Sequence, residues 1–188
     1  ATISVGVRSF PVGVAISPQG GFAYVTAVSV GSEAVFRIRT GDDTVTSTMD
    51  VGLPAGVAIA PNGTFAYVTN KVHGTVSRIR TSDGAVTATV GVGQTPVAVA
   101  ISPDSSTALV TNNTSASVTR INTVTDTSAA TFTGETRPYG VAFAPSGTYA
   151  YVTNYSTDTV WRVQAPDPPP TPSPVPGSGT ATVNVTAA

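Results

Sequence analysis

The chain has 188 residues with a formal net charge of −1, only 10% of them charged, and no cysteine. That balance excludes the basic footprint nucleic acid demands, and the missing thiols exclude a disulfide framework and a thiolate metal site. The length allows one domain with a core of fair size.

Lys71 is the single lysine, so the polar surface rests mostly on Thr, Ser, Gly and Asn. A neutral, Thr-rich surface of this kind fits a protein outside the cell or on its surface. No apolar run reaches the ~20 residues a membrane helix needs, which argues against membrane insertion. The first residue is Ala1 rather than Met, which fits a processed product and a piece of a longer chain equally.

Residues 1–7 open the chain, and Thr2, Ile3, Ser4 and Val5 read as a short strand. From Pro11 onward the sequence repeats itself. Pro11, Pro54, Pro96 and Pro138 recur at intervals of 43, 42 and 42, and Tyr24, Tyr67, Leu109 and Tyr151 keep the same intervals. A fixed period of this size marks a repeat architecture.

Each copy begins with a short strand of small apolar residues (12–16, 55–59, 97–101, 139–143). Gly or Ala near its start lets backbones approach, as an innermost strand around an axis requires. A turn with Pro18, Pro61, Pro103 or Pro145 follows, clearest in Pro61-Asn62-Gly63. The second strand alternates aromatic and small residues, as in Phe65-Ala66-Tyr67-Val68-Thr69, with the period of two that a strand needs. Third strands fall at 34–40, 75–81, 117–123 and 159–165, and Asp-rich turns lead to fourth strands such as 85–92. No proline is expected inside a strand, and no stretch keeps a helical period.

Four-stranded units that cannot bury their faces alone read as β-propeller blades. Tyr67-Val68-Thr69-Asn70 and Tyr151-Val152-Thr153-Asn154, with the preceding Gly-Val-Ala and Pro-x-Gly elements, resemble the YVTN β-propeller repeat family over residues 1–165. The resemblance implies a propeller and covers both surface-layer proteins and relatives of lactonases. Propellers of that family usually have seven blades, so four copies leave closure to the termini. Residues 2–5 would supply the closing strand of the fourth blade.

After the fourth copy comes a Pro-rich linker, 166–179, and then an alternating β-branched segment, 180–188. Thr180, Ala181, Thr182, Val183, Asn184, Val185 and Thr186 form a strand surplus to the count. An extended linker at about 3.1 Å per residue reaches roughly 40 Å, far enough to meet another molecule. Donation of this strand to a neighbouring copy is therefore expected, and head-to-tail contacts of that kind build filaments.

Arg37, Arg78, Arg120 and Arg162 occupy one position in all four copies. They are expected to pack on aromatics of neighbouring blades with their heads paired at the rim. An anion or glycan site is the rival reading. His73 is the only histidine and sits in a loop without a partner for metal or proton chemistry. Asn70, Asn112 and Asn154 read as turn residues accepting local backbone hydrogen bonds. No carboxylate recurs on the inner strands, and no phosphate loop or nucleophile elbow is present. The sequence thus reads as an all-β, four-bladed propeller with no catalytic, cofactor or metal residues, whose main partner is itself. A ligand- or glycan-binding module, or part of a larger lactonase-like ring, is the alternative.

Overall fold

In a computed structural model the described residues are 2–6, 9–29, 33–134 and 136–164. They form four antiparallel sheets in sequence order. Blade 1 holds β1 (Ser9–Ile16), β2 (Phe22–Ser29), β3 (Ala34–Arg39) and β4 (Thr44–Asp50). Blade 2 holds β5 (Pro54–Ile59), β6 (Phe65–Asn70), β7 (Thr75–Arg80) and β8 (Val86–Gly91). Blade 3 holds β9 (Pro96–Ile101), β10 (Thr107–Asn112), β11 (Ser117–Asn122) and β12 (Thr127–Thr133). Blade 4 holds β13 (Pro138–Phe143), β14 (Tyr149–Asn154) and β15 (Thr159–Gln164). The fold is the expected all-β propeller of four blades. The linker 166–179 and the strand 180–186 lie outside the described residues.

The hairpins follow from the sequence. After each inner strand the turn passes through left-handed backbone at Gly20, Gly63, Ser105 and Gly147, with φ between 63° and 73°. Glycine meets that demand without strain at three of the four positions. The repeat prolines, expected outside the strands, lie in them: Pro54, Pro96 and Pro138 are the first residues of β5, β9 and β13. Pro11 lies inside β1, beside the irregularity between Pro11 and Gly13. β1 is an edge strand, where a missing N–H costs no ladder bond.

The core consists of three interblade clusters. Tyr24, Val35 and Met49 of blade 1 pack on Ala66, Val68 and Ile79 of blade 2. Phe65, Tyr67, Val76 and Val90 pack on Val99, Ala108, Val110 and Ile121 of blade 3. Leu109 and Val118 pack on Ala150, Val152 and Val163 of blade 4. Alternation along each strand sends one set of side chains to the preceding blade and the other to the next.

Near the axis the spacing is set by small residues and hydroxyls. A Cβ on Gly56 would lie 2.7 Å from the Val97 carbonyl and 2.8 Å from Ala98 Cα. The buried Thr26 hydroxyl accepts from Gly13 N and donates to Ala55 O at 2.6 Å, bridging blades 1 and 2. Thr111 does the same, from Ala98 N to Tyr139 O at 2.8 Å. The blades are therefore wedges, narrow at the axis and wide where the tyrosines lie.

Among the described residues the four blades do not close into a ring. Inner strands touch in the series β1, β5, β9, β13, and no comparable contact returns from β13 to β1. Geometry gives the reason. Four strands at about 4.8 Å span roughly 14 Å, so a quarter turn between blades would part their outer strands by roughly 20 Å more than their inner ones. One layer of Tyr and Val cannot fill that gap. The closing strand expected from Thr2, Ile3, Ser4 and Val5 is accordingly not formed. Residues 2–6 belong to no strand and stay near β1, where Ser9 Oγ donates to Val5 O. Blade 4 ends at β15 among the described residues.

This packing makes a specific demand at Gly56. Gly56→Ala should lower the unfolding free energy by about 1–3 kcal/mol through overpacking between the inner strands. Gly91→Ala, where no atom lies within 4 Å of the added Cβ, should leave the denaturant midpoint nearly unchanged.

Candidate functional site

The repeated arginines organise the rim of each interface. Arg37 lies over Phe22, Arg78 over Phe65 and Arg162 over Tyr149, with Cζ 3.6, 4.0 and 4.2 Å from the ring centroids. In each pair the aromatic belongs to the arginine's own blade, not to a neighbouring one as the sequence suggested. Strand register explains this. Tyr67 stands opposite Arg78 and Phe65 two positions along the same face, within reach of a long side chain. Arg120 is almost fully buried and partnered.

The head of Arg78 crosses to blade 3. Its terminal nitrogen donates to Thr123 O at 2.7 Å and to both Asp126 oxygens at 2.9 Å. Tyr67, wholly buried, donates its phenol to the same carboxylate. Burial pushes the Tyr67 phenol well above its ordinary value, and the hydrogen bond and charge of Asp126 push it the same way. The phenol therefore stays a donor throughout the physiological range. Arg78, Tyr67 and Asp126 form a closed triad in which two donors meet one acceptor.

Blade 1 offers the same two donors to blade 2 but finds no acid. Gly84 occupies the place that Asp126 holds, and the Tyr24 hydroxyl donates to Thr81 O at 3.3 Å. Arg37 Nε is buried without an acceptor, and a cavity of about 270 Å³ lies among Tyr24, Arg37, Gln19 and Thr81. At the far end of the arc, Tyr151 and Arg162 are exposed and face away from blade 3.

Sequence reasoning took Asp126 and Asp43 for turn residues. Both sit in left-handed backbone, with φ of 54° and 57°, at one phase of the repeat where blade 2 has Gly84. That shared phase was the available signal. The interblade threonines were also missed, although Thr26, Thr69, Thr111 and Thr153 recur in every copy.

Other candidates play smaller parts. His73 is exposed and rests against Gly52. Asn70 donates from Nδ2 to Thr75 and Ser77 Oγ atoms, and Asn112 to Ser117 and Thr119. These asparagines thus donate across a hairpin rather than accept from backbone. Their buried Oδ1 atoms accept no protein hydrogen bond. No group of three His, Asp or Glu side chains converges among the described residues.

The two ends of the arc present opposite faces. On blade 1, Val14 and Ile16 are 66% and 56% exposed, while their counterparts Val57 and Ile59 pack on blade 1 itself. On blade 4, Tyr151 and Val160 are 48% and 61% exposed, while their counterparts Tyr67 and Val76 are fully buried. The apolar surface that is buried between blades inside the fold is thus exposed at both ends of the described arc.

This geometry defines the class: a small β-propeller-type protein, whose end faces are open among the described residues. Solved propellers share the fold. Kuenenia stuttgartiensis hydrazine synthase matches with a TM-score of 0.76 and 22% identity over 87% of this chain and 49% of that one. A functionally unknown protein of Desulfotomaculum acetoxidans gives 0.74 and 21% over 82% and 51%. A 6-phosphogluconolactonase-like protein of Bacteroides uniformis gives 0.68 and 18% over 87% and 54%. The chain therefore spans about half the length of each. No family model and no curated protein matches it.

The triad yields a stability difference. Arg78→Ala or Asp126→Ala should each cost about 2 kcal/mol, because a partly buried charged partner loses its hydrogen bonds. Combining the two should cost less than their sum. Arg39→Ala, at a solvent-exposed pair within one hairpin, should change the denaturant midpoint little.

Proposed function

We propose that this protein is a structural, self-assembling propeller that works by protein–protein contact and turns over no substrate. The observation that carries this reading is the pair of bare apolar faces at the ends of the arc, each built like a face that is buried inside it. A chain with such ends gains most by meeting another blade. The Tyr-Val-Thr-Asn copies favour placing the repeat with the YVTN group, which includes surface-layer proteins. The Thr-rich, Lys-poor composition favours a place outside the cell or at its surface.

Strand donation is the second half of the mechanism. β15 has a free edge among the described residues, and residues 2–5 do not occupy it. Residues 180–186, carried on a linker of reach length, suit that edge in a neighbouring subunit. Ladder hydrogen bonds would supply affinity, and Ala181, Val183 and Val185 would fix register.

A second reading makes the chain half of a larger, lactonase-like ring. Its support is the half-length match to solved propellers. In that case glycans or small molecules would bind at the completed ring's mouth, and the half-ring alone would bind neither.

Native mass of the full chain tests the proposal. Assembly beyond one copy at micromolar concentration is expected, and deletion of 180–188 should leave a folded propeller with weaker or shorter assembly. A chain that stays monomeric at submillimolar concentration contradicts the reading. A deletion variant that assembles as the full chain does removes strand donation from it.

A further inference from the structure

We propose that the partner of each open face is a second copy of this chain, with blade 4 of one copy packed on blade 1 of the other and a triad of Tyr151, Arg162 and Asp43 closing the contact. The inference rests on the assembly reading above and names its partner, its register and its polar lock.

The register is read from the three interfaces inside the chain. At each, the preceding blade gives a large residue and a Val from its second and third strands. The following blade receives them on a Val, an Ile (Phe143 in blade 4), an Ala and a Val. Blade 4 still has its giving set, Tyr149, Tyr151 and Val160. Blade 1 still has its receiving set, Val14, Ile16, Ala23 and Val25. Either end face covers the other with the chemistry already used between blades 2 and 3.

Polar groups repeat the match. Between blades 2 and 3, Tyr67 and Arg78 meet Asp126 and the Thr123 carbonyl. Tyr151 and Arg162 are the blade 4 counterparts of Tyr67 and Arg78. Asp43 and the Thr40 carbonyl are the blade 1 counterparts of Asp126 and the Thr123 carbonyl. At this phase blade 2 has Gly84, whereas blades 1 and 3 have the acid. The donors and the acceptor of one complete triad are thus divided between the two bare faces, and all three side chains are exposed.

The inner latch is divided in the same way. Thr153 accepts from Gly140 N at 2.8 Å, as Thr26 accepts from Gly13. Thr26 and Thr111 then donate to the backbone carbonyls of Ala55 and Tyr139 in the next blade. Val12 holds the corresponding place in blade 1, so its carbonyl in a second copy is the acceptor that Thr153 requires.

Two copies also satisfy the curvature. Eight blades need an eighth of a turn each, which parts outer strands of 14 Å sheets by roughly 11 Å, a gap one layer of Tyr and Arg can fill. The solved propellers that this arc superposes on are about twice its length. Both contacts in such a pair are equivalent, and the ring leaves no blade face bare.

Charge reversal in the full chain is the test, with native mass and a thermal melt as readouts. The wild type should run as two copies. Asp43→Arg alone and Arg162→Asp alone should each weaken association at least tenfold while melting as folded proteins, because each sets like charges together at both contacts. Mixing the two single variants, or combining both changes in one chain, should restore the two-copy mass. Asp83→Arg, within an exposed pair of blade 2, should leave the mass unchanged. If the wild type assembles but neither reversal weakens it, this register is overturned while the assembly reading stands. An open, polydisperse polymer overturns the two-copy ring, and a monomeric wild type overturns both readings. Arg162→Asp lies on an exposed strand position, so it keeps the test valid should Asp43→Arg fold poorly in its left-handed turn.

Discussion

Every level of this structure depends on one contact, the lateral packing of a giving blade face on a receiving one. A single antiparallel sheet of this size has two apolar faces and little reason to be stable in water. Blades 2 and 3 bury both faces because each has a neighbour on either side. The hydrophobic gain is non-directional, so it supplies stability without choosing a register. Register comes from what is directional: the threonine hydroxyls bridging inner strands and, between blades 2 and 3, the Tyr–Arg–Asp triad at the rim.

The same contact controls shape. Close backbone approach at Gly13 and Gly56 holds the inner strands together, while tyrosine and arginine prop the outer strands apart. The angle between blades is the ratio of these two spacings. It is too small for four blades to meet, which leaves Val14 and Ile16 at one end and Tyr151 and Val160 at the other in solvent. Exposed apolar surface of that kind is a liability unless it is an interface. In a repeat protein the terminal units normally carry a polar outer face. Among the described residues the end blades keep the interior pattern, as the proposed contact with a second copy requires.

Much of the fold was legible because its signals are local and repeated. The prolines at Pro54, Pro96 and Pro138, the strand alternation at 65–69 and the turn glycines each act within a few residues, and four copies multiply the signal. The closing strand at Thr2, Ile3, Ser4 and Val5 was misread for the opposite reason. Its pairing depended on the summed angle of four wedges, which no stretch of sequence encodes by itself. The arginine position was legible as a position, but its partners were not. Arg78 and Asp126 are 48 residues apart, and only the folded interface shows that a turn aspartate serves the preceding blade. The asparagines bond side chain to side chain across a hairpin, a pattern that composition cannot distinguish from a capped turn.

On the proposed assembly, the end faces are covered when the protein is in its native particle. Side-chain footprinting of the full chain with a photolysed diazirine, followed by mass spectrometry, reads this directly. Val14, Ile16, Tyr151 and Val160 should be labelled as weakly as buried Val68 in the concentrated protein and become strongly labelled on dilution. Labelling of those four residues that is strong and independent of concentration would contradict the proposed assembly.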